Sequence, residues 1–176
     1  MKTNIALIGF MATGKTAVGE LLAKKLRKEF VELDNVIAET AGKSIPEVFR
    51  QDGEIRFREL EIEAVRDVAS KKNTVIACGG GIVLNKINID RLKKESVIIC
   101  LTASLPVVLK RSLHDKDNRP LLNVADREKQ IKELFDFRRP FYNRAADIIV
   151  NTSRLNIKAV VDKIIGTLKN YESYNR

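Results

Sequence analysis

Apolar residues follow two rhythms along this chain. Short unbroken runs at Asn4–Ile8, Phe30–Leu33, Thr74–Cys78, Ser96–Leu101 and Asp147–Val150 read as strands buried on both faces. Between them, apolar positions recur every three or four residues. Val18, Leu21, Leu22 and Leu26 give that helical period over 17–29. Ile157, Val160, Val161, Ile164, Ile165 and Leu168 repeat it over 155–170, which predicts a helix lying on the sheet, with 171–176 frayed beyond it. Alternating strands and helices predict an α/β fold, with a parallel sheet covered on both faces and right-handed crossovers. No repeat, low-complexity segment or linker interrupts the pattern, so 1–176 reads as one domain.

The first strand leads directly into Gly9-Phe10-Met11-Ala12-Thr13-Gly14-Lys15-Thr16, and a helical period follows. This fits the phosphate-binding loop G-x-x-x-x-G-K-[ST] in the strand–loop–helix context that the mechanism requires. Such a turn aims backbone N–H groups and a helix N-terminus at an anion. Gly9, Ala12, Thr13, Gly14, Lys15, Thr16 and Ala17 are therefore the expected nucleotide-binding positions. Lys15 can reach the β- and γ-phosphates, and the Thr16 hydroxyl can ligate Mg²⁺. The chain is read as binding a nucleoside triphosphate.

Two intervals depart from simple alternation. From Asp34 to Lys72 the pattern is helical with no strand, and its first part, about 34–62, is expected to be a substrate-binding arm. Residues 112–126 are polar, with Asp, Asn, Arg and Pro clustered, and are expected to form a mobile lid. An enzyme that transfers phosphate must exclude water or it hydrolyses its own ATP.

Composition narrows the class further. The 176 residues are 44% hydrophobic and 31% charged, ordinary for a globular chain, and no apolar run approaches a membrane span. The N-terminus enters the first strand at once, so no signal peptide is expected. Cys78 and Cys100 each close an apolar run and read as reduced, buried residues of a cytoplasmic protein. The formal net charge of +9 invites a nucleic-acid reading. Yet acids are interleaved with the bases, as in Lys24-Lys25-Leu26-Arg27-Lys28-Glu29, and there is no basic tail. Anionic small substrates account for the surplus, and no nucleic-acid partner is expected.

Several residues carry candidate chemistry. Asp34 follows the second strand, at the carboxyl edge where α/β sheets bind ligands. It can orient or deprotonate an attacking hydroxyl, or simply cap the helix expected over Asn35–Thr40. Arg56 and Arg58 lie two apart on a helical pattern, so at most one faces a site. The fork of an arginine matches a carboxylate, but a surface pair with Glu54, Glu61 or Glu63 is the competing reading. Gly79, Gly80 and Gly81 close the third strand, where backbone can approach a ligand closely. No acid stands at that strand's end, which argues against motor and GTPase classes. Arg119 in the lid could stabilise a transferring phosphoryl group. Either Arg138 or Arg139 could supply a second anion clamp. His114 has no catalytic partner in sequence and reads as a surface residue.

Together these pieces resemble shikimate kinase. The ordered set is the phosphate loop, Asp34, Gly53-Glu54-x-x-Phe57-Arg58, Gly79-Gly80-Gly81, Arg119-Pro120-Leu121-Leu122 and Arg138-x-Pro140-x-Tyr142. The resemblance covers residues 4 to about 155. It implies a three-layer P-loop kinase fold like that of nucleoside monophosphate kinases, with a five-stranded parallel sheet in the order 2-3-1-4-5. It implies transfer of the γ-phosphoryl of ATP, with Mg²⁺, to the 3-hydroxyl of shikimate, a step toward chorismate and aromatic amino acids. Lys15, Asp34 and Arg119 would be catalytic. Arg58, Arg138, Asp34 and the three glycines would bind shikimate, Arg119 and Arg154 would join the loop at the nucleotide, and Thr16 and Glu32 would serve the metal.

Three departures from the family pattern matter. Glu32-Leu33-Asp34 replaces Asp-x-Asp, Ala12 stands where glycine is common and fits if its φ is negative, and Arg139 fills the variable place beside Arg138. Gluconate or nucleoside monophosphate kinases are the enzyme alternatives, and a slow ATP-hydrolysing RNA binder is the alternative of another class. No long exposed apolar stripe is evident, so a monomer is expected.

Overall fold

The computed structural model describes residues 2–114 and 126–174. Most of the expected lid, including Arg119, therefore lies outside the described residues. The sheet has five parallel strands in the order β2-β3-β1-β4-β5. They are β1 (Asn4–Ile8), β2 (Glu29–Glu32), β3 (Thr74–Ala77), β4 (Ser96–Thr102) and β5 (Ile148–Asn151). Central β1 pairs with β3 through Ile5 and Val75 and with β4 through Ile5 and Val97.

The strands are apolar throughout because both faces are covered. Ile5 and Leu7 of β1 face one cluster, with Val18 and Leu22 of α1 (Lys15–Leu26) and Val161 and Ile164 of α8 (Ile157–Tyr174). Ala6 and Ile8 face the other. There they join Leu60 and Val65 of α4 (Gly53–Ala69), Leu92 of α5 (Lys86–Glu95) and Ile131 of α7 (Arg127–Ala145). Between β2 and β3 the expected helical arm consists of α2 (Leu33–Ala41), α3 (Ile45–Gln51) and α4. A capping box between Ser44 and Glu47 starts α3. The remaining helix, α6 (Leu105–His114), follows β4.

Local chemistry moves several boundaries. Helix α1 starts at Lys15 because Gly14, at φ 91°, ends the phosphate loop, and it stops at Leu26 because Arg27 turns left-handed at φ 54°. Leu33 is the first residue of α2 rather than the last of β2, and Glu32, not Asp34, occupies the cap position. Asp147 stays outside β5 because its carboxylate accepts a hydrogen bond from the Ile98 amide at 2.8 Å. Helix α8 continues through Tyr171–Tyr174, where fraying was expected.

Candidate active site

A parallel sheet gathers the carboxyl ends of its strands on one edge. The phosphate loop follows β1 there, Asp34 follows β2 and the glycine turn follows β3. The loop passes so close to β4 that a Cβ on Gly9 would lie 2.3 Å from the Leu101 carbonyl oxygen. Gly9 has φ 145°, so only glycine fits by either criterion. The Thr13 hydroxyl donates to the Phe10 carbonyl at 2.8 Å and closes the turn. Lys15 Nζ donates to the carbonyls of Gly9 and Phe10, both at 2.9 Å, so the ammonium lies over the loop it serves.

Ala12 does not have the negative φ expected of it. It is left-handed at φ 58°, which costs an alanine about 1–2 kcal/mol. A residue not singled out in the sequence supports it. Arg111 of α6 donates to the Ala12 carbonyl at 3.2 Å and, at 3.1 and 3.0 Å, to the hydroxyl and carbonyl of Thr152. Thr152 begins the turn after β5, where Arg154 lies exposed two residues further on.

The Thr16 hydroxyl hydrogen-bonds the Glu32 carboxylate. Burial pushes the Glu32 carboxyl above its ordinary pKa. The Thr16 bond opposes the shift, and the neighbouring Asp34 charge adds to it. Its Oε2 is buried with no hydrogen-bond partner among the described residues. A hydroxyl beside a buried, under-satisfied carboxylate fits a hard cation held by few protein groups, as Mg²⁺ usually is. Among the described residues, no group of three or more His, Cys, Asp or Glu forms a denser cage.

The glycine turn is enclosed by side chains from three helices. A Cβ on Gly79 would lie 2.9 Å from Asp34 Oδ1, and one on Gly81 would lie 2.6 Å from both terminal nitrogens of Arg58. One on Gly80 would lie 3.6 Å from Arg138 Nη1. The Tyr142 hydroxyl donates to the Gly80 carbonyl, which fixes the turn to α7. Arg138 is buried at 5% exposure, whereas Arg139 is exposed, so the inward arginine of the pair is Arg138. Likewise Arg58 faces the glycine turn, while Arg56 is exposed and pairs with Glu59 at 2.9 Å.

The competing ion-pair reading of Arg58 also holds. Nη1 meets Glu61 and Nη2 meets Glu54, each at 3.0 Å. Glu61 is only 1% exposed, and burial raises its pKa against the pull of Arg58. Its signal was present in the sequence. Phe57, Leu60, Glu61, Ala64, Val65 and Val68 form the buried stripe of α4, and Glu61 is the acid within it.

With this geometry in view, the comparisons are specific. The family model described as shikimate kinase matches residues 11–169. The chain belongs to the shikimate kinase family. It is 49% identical over 169 residues to a shikimate kinase of Thermodesulfovibrio yellowstonii, covering 96% of this chain and 95% of that protein. With a shikimate kinase of Pelotomaculum thermopropionicum the identity is 45%, covering 96% of each. The structure of the shikimate kinase from Acinetobacter baumannii in complex with shikimate superposes with a TM-score of 0.92. It is 33% identical and covers 97% of this chain and 95% of that one. The five-stranded order 2-3-1-4-5 is thus the shikimate kinase fold.

Proposed function

We propose that this kinase transfers the γ-phosphoryl group of ATP to the 3-hydroxyl of shikimate, the step toward chorismate and aromatic amino acids. The observation that carries the reading is the convergence of Asp34, Arg58 and Arg138 on the Gly79–Gly81 turn, at the sheet edge that also holds the phosphate loop. In a loose transition state there is little covalent work for the protein, so placement and charge dominate. Lys15 and the loop amides hold the phosphates. Arg58 and Arg138 take the shikimate carboxylate, the glycine turn faces its hydroxyls, and Asp34 orients the attacking one. Thr16 and Glu32 would hold Mg²⁺, which would supply positive charge against the phosphates. From their motifs we assign Arg119 to the transferring group and Arg154 to the adenine side.

The direct test is ADP release with ATP and Mg²⁺, offering shikimate, gluconate and nucleoside monophosphates in turn. Turnover with shikimate alone is expected. Turnover with another acceptor instead would void the assignments of Arg58, Gly80 and Arg138.

Three substitutions probe the clamp. Arg58→Ala and Arg138→Ala each lose a charge-assisted pair of about 1.5–3 kcal/mol, so shikimate affinity falls roughly ten- to a hundredfold while ATP affinity holds. Titration calorimetry with each ligand measures the contrast, and equal losses for both would place the clamp wrongly. Gly81→Ala puts a methyl group where the Arg58 guanidinium lies. Misplacing the clamp lowers kcat/KM for shikimate on the order of 10²-fold. A variant with wild-type kcat/KM would show that Arg58 need not occupy this position.

We also read the protein as a cytoplasmic monomer with no nucleic-acid role. Exposed Ile55, Ile87, Phe137, Ile149 and Ile157 lie on different elements, and such scattered apolar residues are normal on a monomer. Cys78 and Cys100 are both buried free thiols. Among the described residues no helix is long and apolar enough to cross a membrane.

A further inference from the structure

We propose that Asn88 of α5 is a positioning residue for the substrate carboxylate clamp, acting through Glu61 on Arg58. The proposal rests on the reading of Arg58 given above. Asn88 is fully buried in the first turn of α5, far from either phosphate or metal groups in sequence and absent from every motif that marks the site. Its Nδ2 donates to Glu61 Oε2 at 3.3 Å, while Glu61 Oε1 accepts from Arg58 Nη1 at 3.0 Å. The two oxygens of one buried carboxylate are thus divided between the clamp and α5.

Burial favours the neutral form of Glu61, and a neutral Glu61 would hold Arg58 weakly. A donor on the far oxygen favours the charged form and fixes the plane of the carboxylate. The opposite side of the guanidinium is different. Its Nε and Nη2 both reach Glu54 Oε1, and Glu54 is 53% exposed. An incoming carboxylate can displace that solvated partner while Glu61 keeps Nη1 in place. Asn88 therefore sets the fixed side of the fork, leaving the other side exchangeable. Of the two acids on Arg58, Asn88 aims its donor at the buried one, Glu61.

The test is steady-state kinetics on Asn88→Ala, alone and combined with Arg58→Ala. Removing the donor raises KM for shikimate about tenfold, with KM for ATP within about twofold of wild type. In the Arg58→Ala background the same change adds less than about twofold, because the group it acts through is gone. Asn88→Leu keeps the volume and removes the donor, so it raises KM for shikimate at least as far even if the alanine variant folds poorly. Losses that multiply with Arg58→Ala, or that fall equally on ATP, would overturn the inference and leave the kinase reading standing. Absence of shikimate turnover by the wild-type chain would overturn both.

Discussion

Lys15→Ala lowers kcat for shikimate phosphorylation by about 10²–10³-fold, the effect of removing one preorganised electrostatic donor from a phosphoryl-transfer site. Lys15 Nζ is held by two loop carbonyls within the turn that faces the phosphates. A triphosphate offers stronger, charged acceptors, so the ammonium exchanges carbonyls for phosphate oxygens with little movement. Its charge then meets negative charge that grows on the leaving side in the transition state. The fold should survive, because Lys15 is the first residue of α1 and is not among the residues of either core cluster. Single-turnover rates at saturating ATP and shikimate, with circular dichroism on the same sample, separate chemistry from folding. A folded variant with wild-type turnover would remove the loop from the mechanism. Lys15→Arg should restore little, since a planar fork does not replace a compact ammonium.

Asp34→Ala lowers kcat by about 10²–10⁴-fold, with smaller changes in both KM values. Asp34 lies in the first turn of α2, with its carboxylate against Gly79, where the hydroxyl of a substrate on the glycine turn would meet it. Asp34→Asn divides the two roles of this side chain. An amide can still orient the hydroxyl but cannot take its proton, so a positioning role leaves the asparagine variant well above the alanine one. Equal loss in both variants assigns proton acceptance to Asp34. Unchanged kcat in the alanine variant would exclude either role.

The layout of this site was legible wherever backbone pattern and chemistry coincide. The phosphate loop could be read because glycine spacing, a preceding strand and a following helical period all agree. The strand order came with the family resemblance, and the sheet has that order. What stayed hidden depends on tertiary direction. Leu33 is apolar whether it ends a strand or starts a helix, so the β2–α2 boundary was ambiguous. The left-handed φ at Ala12 is accompanied by a hydrogen bond from Arg111, ninety-nine residues away, which no local pattern announces. Glu61 stands within the apolar stripe of α4, but whether an acid there is buried or pairs at the surface is decided by what packs over it. Asn88 had no motif at all.

The sheet order also constrains when this enzyme can come into being on the ribosome. Strand β1 emerges first, but its neighbours are β3, seventy residues later at Ile5 and Val75, and β4, later still. No two strands adjacent in the chain pair with each other until β2 meets β3, and none can close the centre before β4 arrives. The nascent N-terminal strand must therefore wait, apolar and unpaired, for partners separated from it by whole helices, the slow long-range assembly that exposes chains to aggregation. Because Gly9 packs on the Leu101 carbonyl, the phosphate loop takes its final shape only when β4 is in place. Nucleotide capture is thus a late event in synthesis, and a chain able to hold ATP is one whose central sheet is already built.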